Sequence, residues 1–332
     1  MSQNDYFPEW LEAELDSFQE FLSEETLAHL YEFREEYKKL GAQLAPLSTE
    51  EQLGEILKIN PDDLMQIFPD VYTAMVHVSE LLIARWYFTH AYKIRSSYDG
   101  MHYALSKGDF LLSSVCGRGI FEEVVHFSYY LNRLVDKTEY INNLSGHAEN
   151  KIKKGAQPDQ GFETKTITAF TEIFQLLEKS LQGSDFNWKA WIKMVADRYG
   201  SENLHQEVLK LRAPKSRKTH MHKLVKDFEK KTALEASFYY DLLSEMVHPN
   251  GGSNKLVIST RYGIDDSRGN ITLSATPKNV EAAAFFFECF GKVFADIFSH
   301  AENDLNKASS IYQYFRNWAE RLGDQNIRNT LT

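Results

Sequence analysis

A chain of 332 residues with 43% hydrophobic and 13% aromatic content is long enough to bury a sizeable core. Its net charge of −10 excludes a protein coated in nucleic acid over its whole surface, so any such contact has to use a local basic patch. Eight prolines and 17 glycines favour helices over a many-stranded sandwich, and the two cysteines, Cys116 and Cys289, read as reduced core thiols rather than a disulfide framework.

The first ten residues lack the basic-then-apolar pattern of a signal peptide. The most apolar stretch, residues 75–88, is broken by His77, Glu80 and Arg85, so no membrane span is expected and a cytoplasmic protein is. Residues 8–40 predict acidic amphipathic helix. One stripe is Leu11, Leu15, Phe18 and Leu22, a second is Leu27, Leu30, Tyr31, Phe33 and Tyr37, and Gly41 is the expected stop. A connector with a short helical piece at 50–59 follows. Asn60 then caps a helix with Pro61 at its first position, and residues 1–68 form an N-terminal helical extension. A long helix is predicted over 69–97, ended by Tyr98-Asp99-Gly100, and another over 107–136.

Residues 137–163 are polar and carry Asn142, Asn143, Gly146, Gly155, Pro158 and Gly161, which predicts a surface loop. Helices at 164–182, 186–199 and 201–212 would complete an insertion at about 137–218, with Trp188 and Trp191 as core anchors. Val225, Phe228, Thr232, Ala236, Tyr239, Leu243 and Met246 recur at steps of three and four and predict one central helix. Beside that stripe runs a polar one, Ser237, Asp241, Ser244 and His248, and Pro249 ends the helix near Val247 or His248. The segments 255–261 and 270–274, around a turn-rich 265–269, predict a short β-hairpin. Thr276-Pro277 opens a long helix, and a final helix covers 308–323. The expected fold is a mostly α multi-helix bundle of about ten helices, with one β-hairpin inserted before the C-terminal helices.

Chemistry is concentrated in two places. Arg118, Glu122 and His126 share one helix face; Arg118 is either an internal ion pair with Glu122 or a guanidinium aimed into a cleft, where it can hold a phosphate with two bonds. His248 stands at a helix end, where an imidazole either caps the last carbonyls or acts as an acid/base. The basic run that includes Lys215, Arg217, Lys218 and Lys223 is either a solvated helix start or a phosphate-attracting patch on the approach to His248. His220-x-His222 is half of a metal site, and Glu122 with His126 or Glu245 with His248 gives two ligands each. None completes a recognised signature, so no metal and no cofactor are expected. Phosphate-cradling, dinucleotide-binding and nucleophile-elbow motifs are missing from the sequence.

The run from Tyr239 to Gly252, YYDLLSEMVHPNGG, resembles the second motif of HEPN-type helical domains. With Arg118-Gly-Ile-Phe-Glu122 before it, the chain looks like a bacterial family that pairs an Arg-x-x-x-Glu helix with a Ser-Glu-x-x-His-Pro helix end. The resemblance covers roughly 70–136 and 219–305 and makes residues 69–332 a HEPN-like domain. Many HEPN proteins are metal-independent ribonucleases that act as toxins or in phage defence, and many are homodimers. The resemblance implies His248 as the catalytic histidine, with Arg118 as phosphate clamp and Glu122, Ser244 and Asn250 as orienting groups. It implies RNA as partner and a hydrolase activity. Asp241, Leu242 and Leu243 stand where the family pattern has arginine, so that role passes to Arg118. The alternative is a non-catalytic protein-interaction module in which the same residues form a buried polar network. A metal-dependent hydrolase built on His and Glu from facing helices is the third possibility.

Overall fold

The computed structural model describes residues 7–47, 50–68, 71–153, 161–182, 193–194, 197–198, 220–248, 262–265, 270–273 and 280–330. The fold is mostly helical. In chain order the helices are α1 (Glu9–Ala13), a 3-10 turn (Leu15–Glu20), α2 (Glu24–Leu44), α3 (Glu50–Lys58), α4 (Pro61–Ile67), α5 (Val71–Ser106), α6 (Phe110–Lys153), α7 (Phe162–Gln182), α8 (Met221–Thr232), α9 (Ala236–Val247) and α10 (Val280–Thr330). Between α9 and α10, β1 (Tyr262–Asp265) pairs antiparallel with β2 (Asn270–Leu273), Tyr262 opposite Leu273. The expected first strand, 255–261, lies outside the described residues, as do the helix expected at 201–212, Trp188 and Trp191, and the Thr276-Pro277 helix start; of the helix expected at 186–199 only 193–194 and 197–198 are described, and they are helical.

Several expected breaks are helix instead. Gly41 is buried inside α2, which runs on to Leu44. Tyr98-Asp99-Gly100 does not turn: Ala91, Ile94, Tyr98, Met101 and Leu105 keep one buried face at helical spacing through it. The chain reverses at Lys107–Asp109, where Gly108 takes φ +65°, and the Asp109 carboxylate caps α6 by accepting from the Leu112 N–H at 3.0 Å. The loop expected at 137–163 is helical as far as Lys153, because Leu131, Leu134, Ile141 and Ser145 continue its buried stripe. The two C-terminal helices are a single 51-residue helix, α10.

The central helix breaks in the opposite sense. Ala233 adopts φ 58°, ψ 12° and separates α8 from α9. Glu229 bridges the gap, accepting from the Ser237 hydroxyl at 2.9 Å and the Ser237 N–H at 3.3 Å. Both halves keep the predicted stripe, with Val225, Phe228, Ala236, Tyr239, Leu243 and Met246 buried.

The chain forms two compact units, residues 1–49, 90–126 and 220–305 in one, and 50–89, 127–219 and 306–332 in the other. The first has an aromatic core. Phe33 of α2 packs on Phe287, Phe294 and Phe298 of α10, with ring centroids 5.5–6.1 Å apart, and Phe110 of α6 packs on Phe286 at 5.0 Å. Tyr98 donates to the Tyr37 carbonyl at 3.0 Å, and Tyr239 of α9 donates to Asp296 of α10 at 2.8 Å. In the second unit Trp86 stacks on Phe127 at 4.7 Å and donates its indole N–H to the Ser180 hydroxyl at 2.9 Å. Arg85 of α5 donates to the carbonyls of Ile56, Leu57 and Ile59 at the end of α3. Among the described residues no helix is long and apolar enough to cross a membrane.

Candidate functional site

Arg118 sits on α6 within the first unit, flanked by Gly117 and Gly119. A Cβ at Gly117 would stand 2.1 Å from Cε1 of Phe294, so glycine is what lets α6 approach α10 here. One turn along α6, Glu122 accepts from Arg118 Nε at 3.0 Å. From α9, the Tyr240 hydroxyl accepts from Nη2 at 3.3 Å. The guanidinium carbon lies 5.2 Å from the centre of the Tyr240 ring, a cation–π distance. Phe121 of α6 and His222 of α8 also pack on that ring, at 6.1 and 5.3 Å. The phenol is therefore a joint of three helices. Burial disfavours the charged guanidinium, but the Glu122 hydrogen bond and charge, with the Tyr240 hydroxyl, leave its pKa raised on balance. The Arg118 and Glu122 side chains are 21% and 34% exposed, so the pair opens partly to solvent.

The other expected members are arranged less closely. Ser244 donates its hydroxyl to the carbonyl of Tyr240 at 2.6 Å. That bond spends its proton within its own helix and leaves the hydroxyl oxygen as an acceptor. His248 is the C-cap of α9, with extended backbone at φ −77°, ψ 151° and its N–H donating to the Ser244 carbonyl at 3.0 Å. Its residue is exposed. Eight residues separate it from Tyr240, about 12 Å along the axis at 1.5 Å per residue. The structure thus joins Arg118 and Glu122 to the helix that ends in His248, with the imidazole two turns further on. Lys223 is exposed in the first turn of α8. Asn250, Lys215, Arg217 and Lys218 lie outside the described residues.

His126 lies one turn beyond Glu122 on α6. It belongs with the neighbouring carboxylate, Glu123, and with His90 of α5. The buried His90 hydrogen-bonds through Nδ1 to the Glu123 carboxylate. Lys93 Nζ stands 3.7 Å from the same oxygen, and the His126 ring lies 5.4 Å from that of His90. Burial holds the His90 pKa below its ordinary value. Burial and the neighbouring His90 bring that of His126 down to about 4. Burial alone would raise Glu123, yet the His90 hydrogen bond and the charges of His90, Lys93 and His126 leave it lowered. One ligand atom from each of His90, Glu123 and His126 falls within 4.8 Å of the others. Spacing along the sequence pairs His126 with Glu122 and does not reveal this cluster. Its readable half was Glu123-x-x-His126; the other half lies 33 residues upstream of Glu123.

No family model, no curated protein and no solved structure matches the chain.

Proposed function

We propose that the protein is a HEPN-like RNA-binding ribonuclease whose working surface runs along α9 from Tyr240 to His248. The observation that carries this reading is the bond from Arg118 to Tyr240, through which the Arg-x-x-x-Glu helix meets the helix that ends in Ser-Glu-x-x-His. Arg118 is charged and partly open to solvent, and a guanidinium so placed suits an RNA phosphate. Lys223, exposed on α8, adds positive charge on the helix that also supplies His222 to the Tyr240 ring. His248 is the exposed acid/base. It takes the proton of a ribose 2′-hydroxyl, the 2′-oxygen attacks phosphorus, and the 5′-oxygen leaves with a proton from water, giving a 2′,3′-cyclic phosphate. The step needs no metal. A homodimer would supply a second His248, and Phe238, 57% exposed on α9, is an apolar group available to it.

A specific observation also favours the non-catalytic module: Arg118 already has Glu122 and Tyr240 as partners, which suits a polar tie between α6 and α9. One experiment separates the two readings. Labelled single-stranded RNA is incubated with the purified protein in EDTA. Cleavage to cyclic-phosphate ends is expected, and His248→Ala should slow it by about 100-fold or more at an unchanged melting temperature. Intact RNA with the wild-type protein, or equal cleavage by the variant, removes the ribonuclease and leaves the module.

A further inference from the structure

We infer that His90, Glu123 and His126 form a mononuclear site for a divalent transition-metal ion of the zinc class. The site is independent of the Arg118–Tyr240 surface and of the RNA reading built on it. Two imidazoles and one carboxylate are the donor set that such borderline ions take, whereas magnesium and calcium prefer oxygen donors. The three residues are delivered by regular helix, His90 from α5 and the Glu-x-x-His pair from consecutive turns of α6. At i, i+3 spacing a carboxylate and an imidazole point the same way, a device by which helical bundles build metal sites.

The ligand atoms already lie within 4.8 Å of one another. Around a bound ion at about 2.0–2.2 Å they would sit roughly 3.0–3.5 Å apart, so side-chain adjustments on the order of 1 Å complete the site. The burial is graded. The His90 side chain is 0% exposed and that of Glu123 17%, so the ion would enter past Glu123 and keep water in its remaining positions. One neighbour opposes it. Lys93, 46% exposed and 3.7 Å from the Glu123 oxygen, places an ammonium beside the incoming dication and has to swing outward.

The test uses the full-length protein, stripped with EDTA and titrated with Co2+, whose visible bands report a low-coordinate nitrogen and oxygen site. One Co2+ per chain is expected, displaced by Zn2+, with Zn2+ raising the melting temperature. Glu123→Gln, nearly isosteric, and His126→Gln should each weaken binding at least as much as the roughly 10–100-fold that loss of a supporting group costs at metal sites. Lys93→Gln should tighten it. Circular dichroism of each variant separates lost ligation from lost folding, and the wild-type titration stands by itself if a variant unfolds. A folded wild-type protein that binds no Co2+ overturns the assignment. So does binding that survives in Glu123→Gln and His126→Gln but disappears in His222→Gln. RNA cleavage in EDTA reads the other surface, so either proposal can fail alone.

Discussion

Three residues show how local chemistry was and was not legible. Arg118 was read as either an ion pair with Glu122 or a guanidinium aimed into a cleft, and the ion pair is present; the need for Gly117 was not legible, because Phe294, which sets it, comes from another helix. The distance to Phe294 makes Gly117 a sharp test. Phe294 is fully buried among Phe286, Phe290 and Phe298, so it has little room to give. Gly117→Ala should therefore destabilise by about 1–3 kcal/mol through overpacking, despite the better helix propensity of alanine, and a denaturant midpoint measures it. His102 offers a pH test away from both proposed sites. It hydrogen-bonds Tyr37 at 3.0 Å, and burial lowers its pKa. With the folded value below the unfolded one, the unfolded chain binds more protons as pH falls through the ordinary histidine range near 6.5. Stability should drop with acidification there, and His102→Gln should flatten that part of the pH–stability curve. His126 was legible only in part: its spacing to Glu122 was visible, but its nearness to His90 was not, because His90 comes from another helix and no periodicity along one segment reveals a facing residue.

Helix faces were read well and helix ends less well. The stripe on α9 is buried as its spacing predicted; on α2 Leu30, Phe33 and Tyr37 are buried while Leu27 is half-buried and Tyr31 exposed; and the Asn60-Pro61 start is present, with Asn60 accepting from the Asp62 N–H at 3.1 Å. The errors share a cause. Gly41, Gly100 and Gly146 were treated as stops, but a glycine inside a helix costs only about 1 kcal/mol, less than is gained by keeping neighbours such as Leu40, Leu44, Tyr98 and Met101 buried. The break at Ala233 was invisible for the converse reason, since nothing in Lys231-Thr232-Ala233 signals a left-handed residue. That position carries a prediction. The left-handed conformation costs an L-residue other than glycine roughly 1–2 kcal/mol, so Ala233→Gly should raise the melting temperature. A fall would mean that the α8–α9 junction is not the strained turn described here.

On the scale of the molecule, composition was enough to predict a helical protein and its aromatic core. The division into units was beyond it, because three long helices, α5, α6 and α10, each contribute segments to both and leave no linker to find. Long-range pairing also decides the candidate site: the meeting of α6 with α9 was a bet on two motifs 122 residues apart, and Tyr240, the side chain through which they meet, was not singled out for it. The central claim is that this meeting forms a surface for RNA phosphates. Its most direct test is the affinity of the wild-type protein and of Arg118→Gln for a single-stranded RNA oligomer across a salt series. The account predicts weaker binding by the variant, with the slope of log affinity against log salt smaller by about one, as when one phosphate contact is lost. Identical affinities and slopes for the two proteins would contradict it.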